Sequence, residues 1–357
     1  MLSRRKTLQS GAFGLAAALS GSLAPEAFGR PIDAPVPFGA AVRAGLLDSD
    51  AEYSSAVRKY CDVIVPEGGM IWNDLRPDKS TFDFRQADTV ASFAVKNGLK
   101  LHGHTLVWYG VMPEWTQNLD TPSLARDELL HHIDTVVGRY KNLMRAWVVV
   151  NEPLTDNAVR FDDLRPTIWQ RTMGIEHLSV AFHAAHAADP DARLLINEFD
   201  IEYVGERYRN RRAALTALVR YLVDRGVPVH GVGVQGHLKA DRTIDTEGLR
   251  EFARDMKALG LTISVTELDV IDDLLPADIG TRDMLVARTA QRMLSSLSEV
   301  DRLDSVLTWG ITDKYTWVPS YYKRADGLKN RPLPLTEQYA PKPLMATIAE
   351  FSKVQGS

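Results

Sequence analysis

The chain of 357 residues has one cysteine, no excess of basic charge and no hydrophobic run comfortable for a membrane span. The single cysteine, Cys61, excludes an internal disulfide bond and a zinc site built from several cysteines. Lysine and arginine total 42 against 46 acidic residues, a formal net charge of −4. This balance provides no basic surface for nucleic acid. The composition therefore predicts a globular protein without a basic surface for nucleic acid and without a zinc cluster held by cysteines.

The first 29 residues are expected to be a targeting segment that is not part of the fold. Arg4 and Arg5 are adjacent, and an uncharged stretch rich in alanine, glycine and leucine follows from Gly11 to Pro25. This order is typical of a twin-arginine export signal, and a basic terminal tail is the alternative. The sequence thus predicts a signal over residues 1–29, a single folded domain over residues 30–357, and a periplasmic or secreted protein.

Eight apolar segments, each the length of a strand, alternate with longer helical patterns. Their nearly continuous hydrophobic character is typical of parallel strands covered on both faces. The segments are Val36–Val42, Asp62–Pro66, Leu99–Val107, Ala146–Asn151, Arg193–Asn197, Gly231–Gln235, Thr262–Thr266 and Ser305–Gly310. This alternation predicts an α/β fold, a single-domain (β/α)8 TIM barrel. A doubly wound open sheet is the rival, weakened because no glycine-rich phosphate loop follows the first strand.

The helical segments differ in how clearly the sequence marks them. Thr121 before Pro122 predicts a helix start, and Asp245 predicts another, whose apolar stripe stops at Gly260. Residues 43–49 lack strong signals and are predicted to form a loop at the rim. The basic run from Arg207 to Arg212 is interpreted as a solvent-exposed helix face.

Two glutamates, Glu152 and Glu267, each end a hydrophobic strand segment. Lone buried carboxylates are costly, and the carboxyl ends of barrel strands carry the chemistry of such folds. The pair therefore predicts one site for acid–base and nucleophilic work, as hydrolysis of a glycosidic bond requires. Asn197-Glu198 is a second Asn-Glu dipeptide at a strand end, like Asn151-Glu152, and its Glu198 is interpreted as a supporting residue.

Other side chains at the same strand ends suit a sugar-binding cleft. Sugar rings have apolar faces and hydroxyl edges, so tryptophans and hydrogen-bonding groups should line it. The candidates for the faces are Trp108, Trp309 and Trp317, and those for the edges are Glu67, His104, Gln235 and His237. No metal site is predicted, because the pair His102 and His104 lacks matching ligands at other strand ends.

Six segments in order along the chain resemble the family 10 glycoside hydrolases, which are mostly endo-β-1,4-xylanases. The resemblance spans about residues 36 to 345. The matching segments are Phe38–Ala41, Gly103–Trp108, Val149–Pro153, Gly231–Leu238, Thr266–Asp269 and Trp309–Trp317. It implies a (β/α)8 barrel that cleaves a polysaccharide or oligosaccharide, acts without a cofactor, and is expected to be a monomer.

The resemblance also implies residue roles in a retaining double displacement. Glu152 would be the general acid and then the base, and Glu267 would be the nucleophile. Asn151 would hydrogen-bond the sugar hydroxyl next to the reacting carbon. His237 would orient Glu267, and Asp269 would hold His237.

Several positions depart from the family pattern. Gly68 and Ile71 stand where an asparagine and a lysine usually bind sugar hydroxyls. Tyr109-Gly110-Val111 replaces His-Ser-Gln, and Val148 replaces an aspartate. These changes leave two alternatives open beside xylan: an endo-hydrolase of a decorated or hexose-based β-glycan, and a catalytically silent carbohydrate-binding protein.

Overall fold

Parallel strands organise the part of the chain that the computed structural model describes, residues 35–352. The signal predicted over residues 1–29 lies outside the described residues. Within them the sheet has nine strands: β1 Phe38–Val42, β2 Val63–Pro66, β3 Lys100–Val107, β4 Met144–Asn151, β5 Arg193–Glu198, β6 Gly231–Val234, β7 His237–Lys239, β8 Thr262–Ile271 and β9 Ser305–Thr308. All eight predicted strands are present, and β7 is the addition.

The sheet closes into a barrel. Strand β1 pairs in parallel with β2 and with β9, while β6 pairs with β8, so eight strands form a ring without a free edge. The short β7 lies outside this ring and pairs with the carboxyl-terminal half of β8. The predicted (β/α)8 TIM barrel is therefore confirmed, and the open-sheet alternative is wrong.

Helices cover the outer face of the barrel. They are α1 Ala44–Ser49, α2 Ala51–Tyr60, α3 Trp72–Leu75, α4 Arg85–Asn97, α5 Pro122–Arg139, α6 Ile168–Met173, α7 Glu176–Ala188, α8 Glu206–Val223, α9 Thr246–Ala258, α10 Ile279–Ser298 and α11 Pro343–Phe351. The loop predicted for residues 43–49 is wrong, since α1 occupies residues 44–49. This helix buries only Leu47, so the sequence shows no apolar stripe there.

The two helix starts predicted from capping residues are confirmed. The Thr121 hydroxyl accepts the Leu124 N–H at 3.3 Å at the start of α5. The Asp245 carboxylate accepts the Gly248 N–H at 3.0 Å at the start of α9, and Gly260 just beyond that helix has a φ of +73°. Both side chains satisfy a backbone donor that the helix itself leaves without a partner.

The core has an outer and an inner part. Outside the barrel, helices and strands enclose a large apolar cluster that includes Cys61. Inside, Val63, Val65 and Leu307 pack together beneath Trp309. At the opposite end of the barrel, the Arg145 guanidinium meets the Asp304 carboxylate at 2.6 Å. The interior is thus filled, and the open cleft is left to the carboxyl-terminal rim.

Strand register decides which rim side chains become neighbours. Asn151 at the end of β4 lies opposite Asn197 in β5. His237 in β7 lies opposite Asp269 in the extension of β8. Because partners in parallel strands present side chains to the same face, each pairing brings two polar groups together. The fold therefore positions two pairs of rim residues before any side-chain contact is considered.

Among residues 35–352, no helix is both long enough and apolar enough to cross a membrane.

Candidate active site

The two carboxylates predicted from the sequence belong to β8 and to the residue after β4, two strands that β5 and β6 separate in the ring. Glu152 follows β4 with a left-handed backbone, φ +53°, and its N–H donates to the Asn197 carbonyl at 2.8 Å. Glu267 lies within β8, and its N–H donates to the Gln235 carbonyl at 2.9 Å. Backbone hydrogen bonds to neighbouring strands thus fix the backbone position from which each glutamate side chain extends.

A relay of amides joins these carboxylates. Asn197 Nδ2 donates to Glu267 Oε1 at 2.6 Å and to Asn151 Oδ1 at 2.8 Å. Asn151 Nδ2 in turn donates to Glu152 Oε1 at 3.1 Å, and Gln235 Nε2 donates to the same oxygen at 2.9 Å. Since two amide side chains span the gap, both carboxylates border one cleft.

His237 connects Glu267 with Asp269. The imidazole Nε2 lies 3.2 Å from Glu267 Oε2, and Nδ1 lies 3.0 Å from Asp269 Oδ1. Burial opposes its protonation, but Asp269 and Glu267 prevail and raise the pKa of His237 well above the usual value. A carboxylate oxygen within hydrogen-bonding distance of each ring nitrogen thus favours the protonated imidazole, which can donate to both. Trp317 Nε1 donates to Asp269 Oδ2 at 2.7 Å and fixes that carboxylate.

Glu267 is held in its ionised form. Burial alone would raise the pKa of this carboxyl, yet the pKa is lowered. His104 Nδ1 lies 3.9 Å from Glu267 Oε1, but burial lowers the pKa of the His104 imidazole. We therefore attribute the lowering at Glu267 chiefly to the hydrogen bonds from protonated His237 and from Asn197.

Aromatic rings form one wall of the cleft. The Trp309 ring lies 5.0 Å from the His104 ring, and the Trp317 ring lies 5.2 Å from the His237 ring, centre to centre. Tyr321 extends this wall 5.6 Å from Trp317 and leaves 77% of its surface exposed. Such flat surfaces beside carboxylates suit the apolar faces of sugar rings.

Two predicted binding residues have contacts that the sequence did not suggest. Glu67, after β2, pairs with the Arg43 guanidinium at 2.6 Å. Trp108 lies so close to Gly110 that a Cβ there would approach its ring to 2.6 Å. No sequence pattern in residues 43–49 indicates that Arg43 pairs with Glu67.

The structure also adds Tyr109 and Arg165 beside Glu152. Arg165 Nε donates to the Glu152 carbonyl at 3.1 Å, and its Nη2 pairs with Asp156 at 2.7 Å. The same guanidinium lies 4.3 Å above the centre of the Tyr109 ring. Burial and the nearby Glu152 carboxylate raise the pKa of Tyr109. This side of Glu152 is thus built by residues with no motif to reveal them.

A buried ion pair supports the segment that follows Glu152. Arg211 Nη2 meets Glu198 Oε1 at 2.5 Å, and both side chains are fully buried. Arg211 Nη1 also donates to the Thr155 carbonyl, while Glu198 Oε2 accepts the Leu154 N–H at 3.2 Å. Burial raises the pKa of Glu198 to about 7 despite Arg211. The supporting role inferred for Glu198 fits these contacts.

The basic run from Arg207 to Arg212 is not a uniformly solvent-exposed face, so that interpretation is wrong. Arg211 and Arg212 point inward, with 0% and 6% of their surfaces exposed. The pattern of charges along a helix cannot show that one of its arginines, Arg211, pairs with the buried carboxylate of Glu198 in β5.

Within residues 35–352, no group of three or more His, Cys, Asp or Glu side chains is placed to hold a metal ion. His102 is buried inside the barrel, and its burial lowers the pKa of the imidazole to about 3.

Sequence and structure comparisons find similar proteins across almost the whole described chain. The family described as Glycosyl hydrolase family 10 matches residues 32–351. The chain is 32% identical to a beta-1,4-xylanase of Dictyoglomus thermophilum, covering 84% of each chain. It is 34% identical to endo-1,4-beta-xylanase 1 of Humicola insolens, covering 80% of this chain and 65% of that relative's length.

A solved structure shares the fold closely. Xylanase 10B from Thermotoga petrophila, determined in complex with xylobiose, superposes with a TM-score of 0.80 at 30% identity. The match covers 89% of this chain and 94% of that one.

Replacing Asp269 by asparagine should lower the pKa of His237, because the variant removes the first of the two carboxylates that raise it. His237 would then lose its second proton at a lower pH, and Glu267 would lose a charged donor. NMR titration of the assigned His237 ring measures this shift. The control is Asp301→Asn, a surface replacement on which the His237 titration should not depend; equal titration curves in both variants would contradict the assignment.

Replacing Arg211 by methionine should destabilise the fold by about 3–5 kcal/mol, since it leaves the buried Glu198 charge without a partner. The double variant Glu198→Gln with Arg211→Met should lose less free energy of unfolding than Arg211→Met alone, because no uncompensated buried charge remains. Denaturant unfolding of the three proteins measures the difference. A double variant less stable than the single one would show that the pair is not ionic.

Proposed function

The chain belongs to glycosyl hydrolase family 10, and on that premise we propose that it is an endo-β-1,4-xylanase. It hydrolyses β-1,4-xylosidic bonds with retention of configuration, by double displacement. The observation that supports this most directly is the amide relay from Glu267 through Asn197 and Asn151 to Glu152. That relay holds an ionised carboxylate and a second carboxyl group at one cleft.

In the first step Glu267 is the nucleophile. Its oxygen attacks the anomeric carbon while the bond from that carbon to the leaving oxygen breaks, and Glu152 gives its proton to the leaving oxygen. The donors on Glu267 suit this role, because His237 and Asn197 keep it ionised and oriented. The products are a shortened glycan and a glycosyl ester on Glu267.

In the second step water hydrolyses the ester. Glu152, now ionised, takes a proton from the water as its oxygen attacks the anomeric carbon, and Glu267 departs as a carboxylate. Glu267 is neutral as an ester and regains its negative charge when the bond to the anomeric carbon breaks. Two inversions at one carbon leave the original configuration.

Side chains around this centre would bind the sugar. Asn151 can donate to a hydroxyl beside the reacting carbon once the relay rearranges around substrate. Trp309 and Trp317 offer apolar faces to the rings, and His104 borders the same space. These contacts position the reacting carbon against Glu267, which is the main contribution of substrate binding to the rate.

A second candidate substrate is a decorated or hexose-based β-glycan. The Arg43–Glu67 ion pair favours it, because Glu67 is already engaged where a free carboxylate would accept hydroxyls. Gly68 and Ile71 add no hydroxyl-binding side chain at this end of the cleft. Comparable turnover of plain xylan and of substituted glycans would support this alternative, and strict preference for plain xylan would exclude it.

We also propose that the protein is exported through a twin-arginine signal to the periplasm or beyond. The paired Arg4 and Arg5 support this. Replacing both by lysine should retain the precursor in the cytoplasm, and the exported wild-type chain should begin close to residues 24–30 by N-terminal sequencing. Export that is unaffected by the double replacement would contradict the proposal.

The roles of the two glutamates are tested by replacing each with alanine. Glu267→Ala should abolish glycan cleavage while sugar binding persists. Glu152→Ala should cost on the order of 10²–10⁴ in rate on natural glycans. It should cost less on aryl glycosides, whose leaving group needs no proton. Rates of reducing-sugar release and of aryl release measure both effects, and NMR of the first product should show the β-anomer.

The matched control is Glu247→Ala, an exposed glutamate on α9, which should keep wild-type rates. Full activity of either cleft variant on a natural glycan would refute the assignment. A wild-type protein that binds xylo-oligosaccharides but releases no sugar would favour a silent binding protein.

A further inference from the structure

A cavity of about 240 Å³ lies beside Glu152 and takes no part in the proposed mechanism. Its walls come from the segments that follow β3 and β4, and they include Tyr109, Met112, Arg165, Ile168, Trp169 and Arg171. Arg165 also contacts the Glu152 carbonyl, so the cavity shares a wall with the cleft. It is smaller than the roughly 300–1,000 Å³ of sites for larger ligands, which suits a single ring.

The cavity has one positive charge that no described carboxylate neutralises. Arg165 is paired with Asp156. Arg171, in contrast, donates only to the neutral oxygens of Pro166, at 3.2 Å, and Gln117, at 3.3 Å. These two contacts orient the guanidinium of Arg171 at the cavity but do not neutralise its positive charge. A fixed arginine of this kind is well suited to bind a carboxylate.

The remaining walls are largely apolar. Met112, Ile168 and Trp169 present hydrocarbon or ring surface to the cavity. The walls thus match a ring that has an apolar face and carries a negative charge.

We propose that this cavity binds a hexuronic acid side group carried by the β-1,4-linked backbone, with its carboxylate on Arg171. The inference rests on the proposed function, since the side group reaches the cavity only when its backbone lies in the Glu152 cleft. A neutral pentose side group would use the apolar wall but leave Arg171 without a counter-charge. Charge therefore distinguishes the two occupants.

The test compares three substrates that share one backbone. They are a linear β-1,4-xylo-oligosaccharide, the same chain with one glucuronic acid side group, and the methyl ester of that acid. Wild-type kcat/KM for the acid should exceed that for the ester by about three- to fivefold, the upper range for one solvent-accessible ion pair. The difference should lie in KM and should shrink in 1 M salt, where the screening length is about 3 Å.

Variants assign this preference to one side chain. Arg171→Gln should abolish the acid-over-ester ratio, and Arg171→Lys should keep part of it, because the charge remains while the planar fork is lost. The matched control is Arg288→Gln, an exposed arginine on α10, which should keep the wild-type ratio. Calorimetric binding of the acid and the ester to Glu267→Gln protein, with and without Arg171→Gln, measures the same preference without catalysis.

The outcomes separate the two proposals. If the backbone is cleaved but acid and ester react equally, or Arg171→Gln keeps the ratio, the uronate site is refuted and the proposed function stands. If no backbone is cleaved, the proposed function fails, and the calorimetric measurement alone tests whether the cavity binds the uronate. Equal binding of acid and ester in that measurement would refute the uronate site.

Discussion

Register between neighbouring parallel strands is the constraint on which the site depends. With Asn151 opposite Asn197, the two amides meet above the barrel mouth and each reaches a different glutamate. Gly233 beside them makes this possible, since a Cβ there would lie 2.0 Å from the Asn197 side-chain oxygen. Sliding either strand by one residue would turn an amide away from the cleft and break the link between the glutamates.

The two proposed catalytic carboxyls differ because their surroundings differ. Glu267 faces a histidine whose pKa two carboxylates raise, and this arrangement favours a negative charge on Glu267. Glu152 faces neutral amides on one side and the Tyr109–Arg165 stack on the other. Placing similar groups in unlike environments is how an active site obtains a nucleophile and a proton donor from one residue type.

Much of this could be predicted from the sequence, for identifiable reasons. Parallel strands buried on both faces give continuous apolar runs, so the sequence predicts all eight barrel strands. Of the polar residues at the strand ends, the structure joins Asn151, Glu152, Glu267 and His237 through one hydrogen-bond network. What failed depends on distant partners. The inward turn of Arg211 requires Glu198, and the role of Arg43 requires Glu67; neither partner is close in sequence. The three-residue β7 is too short to show periodicity, although it places His237 opposite Asp269.

The backbone at Glu152 bears on how such a site persists. A φ of +53° is a conformation that glycine adopts readily and a side-chain-bearing residue adopts at a cost of about 1–2 kcal/mol. A glycine at position 152 would relieve that cost but would also remove the carboxyl group that the proposed reaction needs as its proton donor. Backbone stability and the proposed chemistry therefore make opposite demands on this one residue.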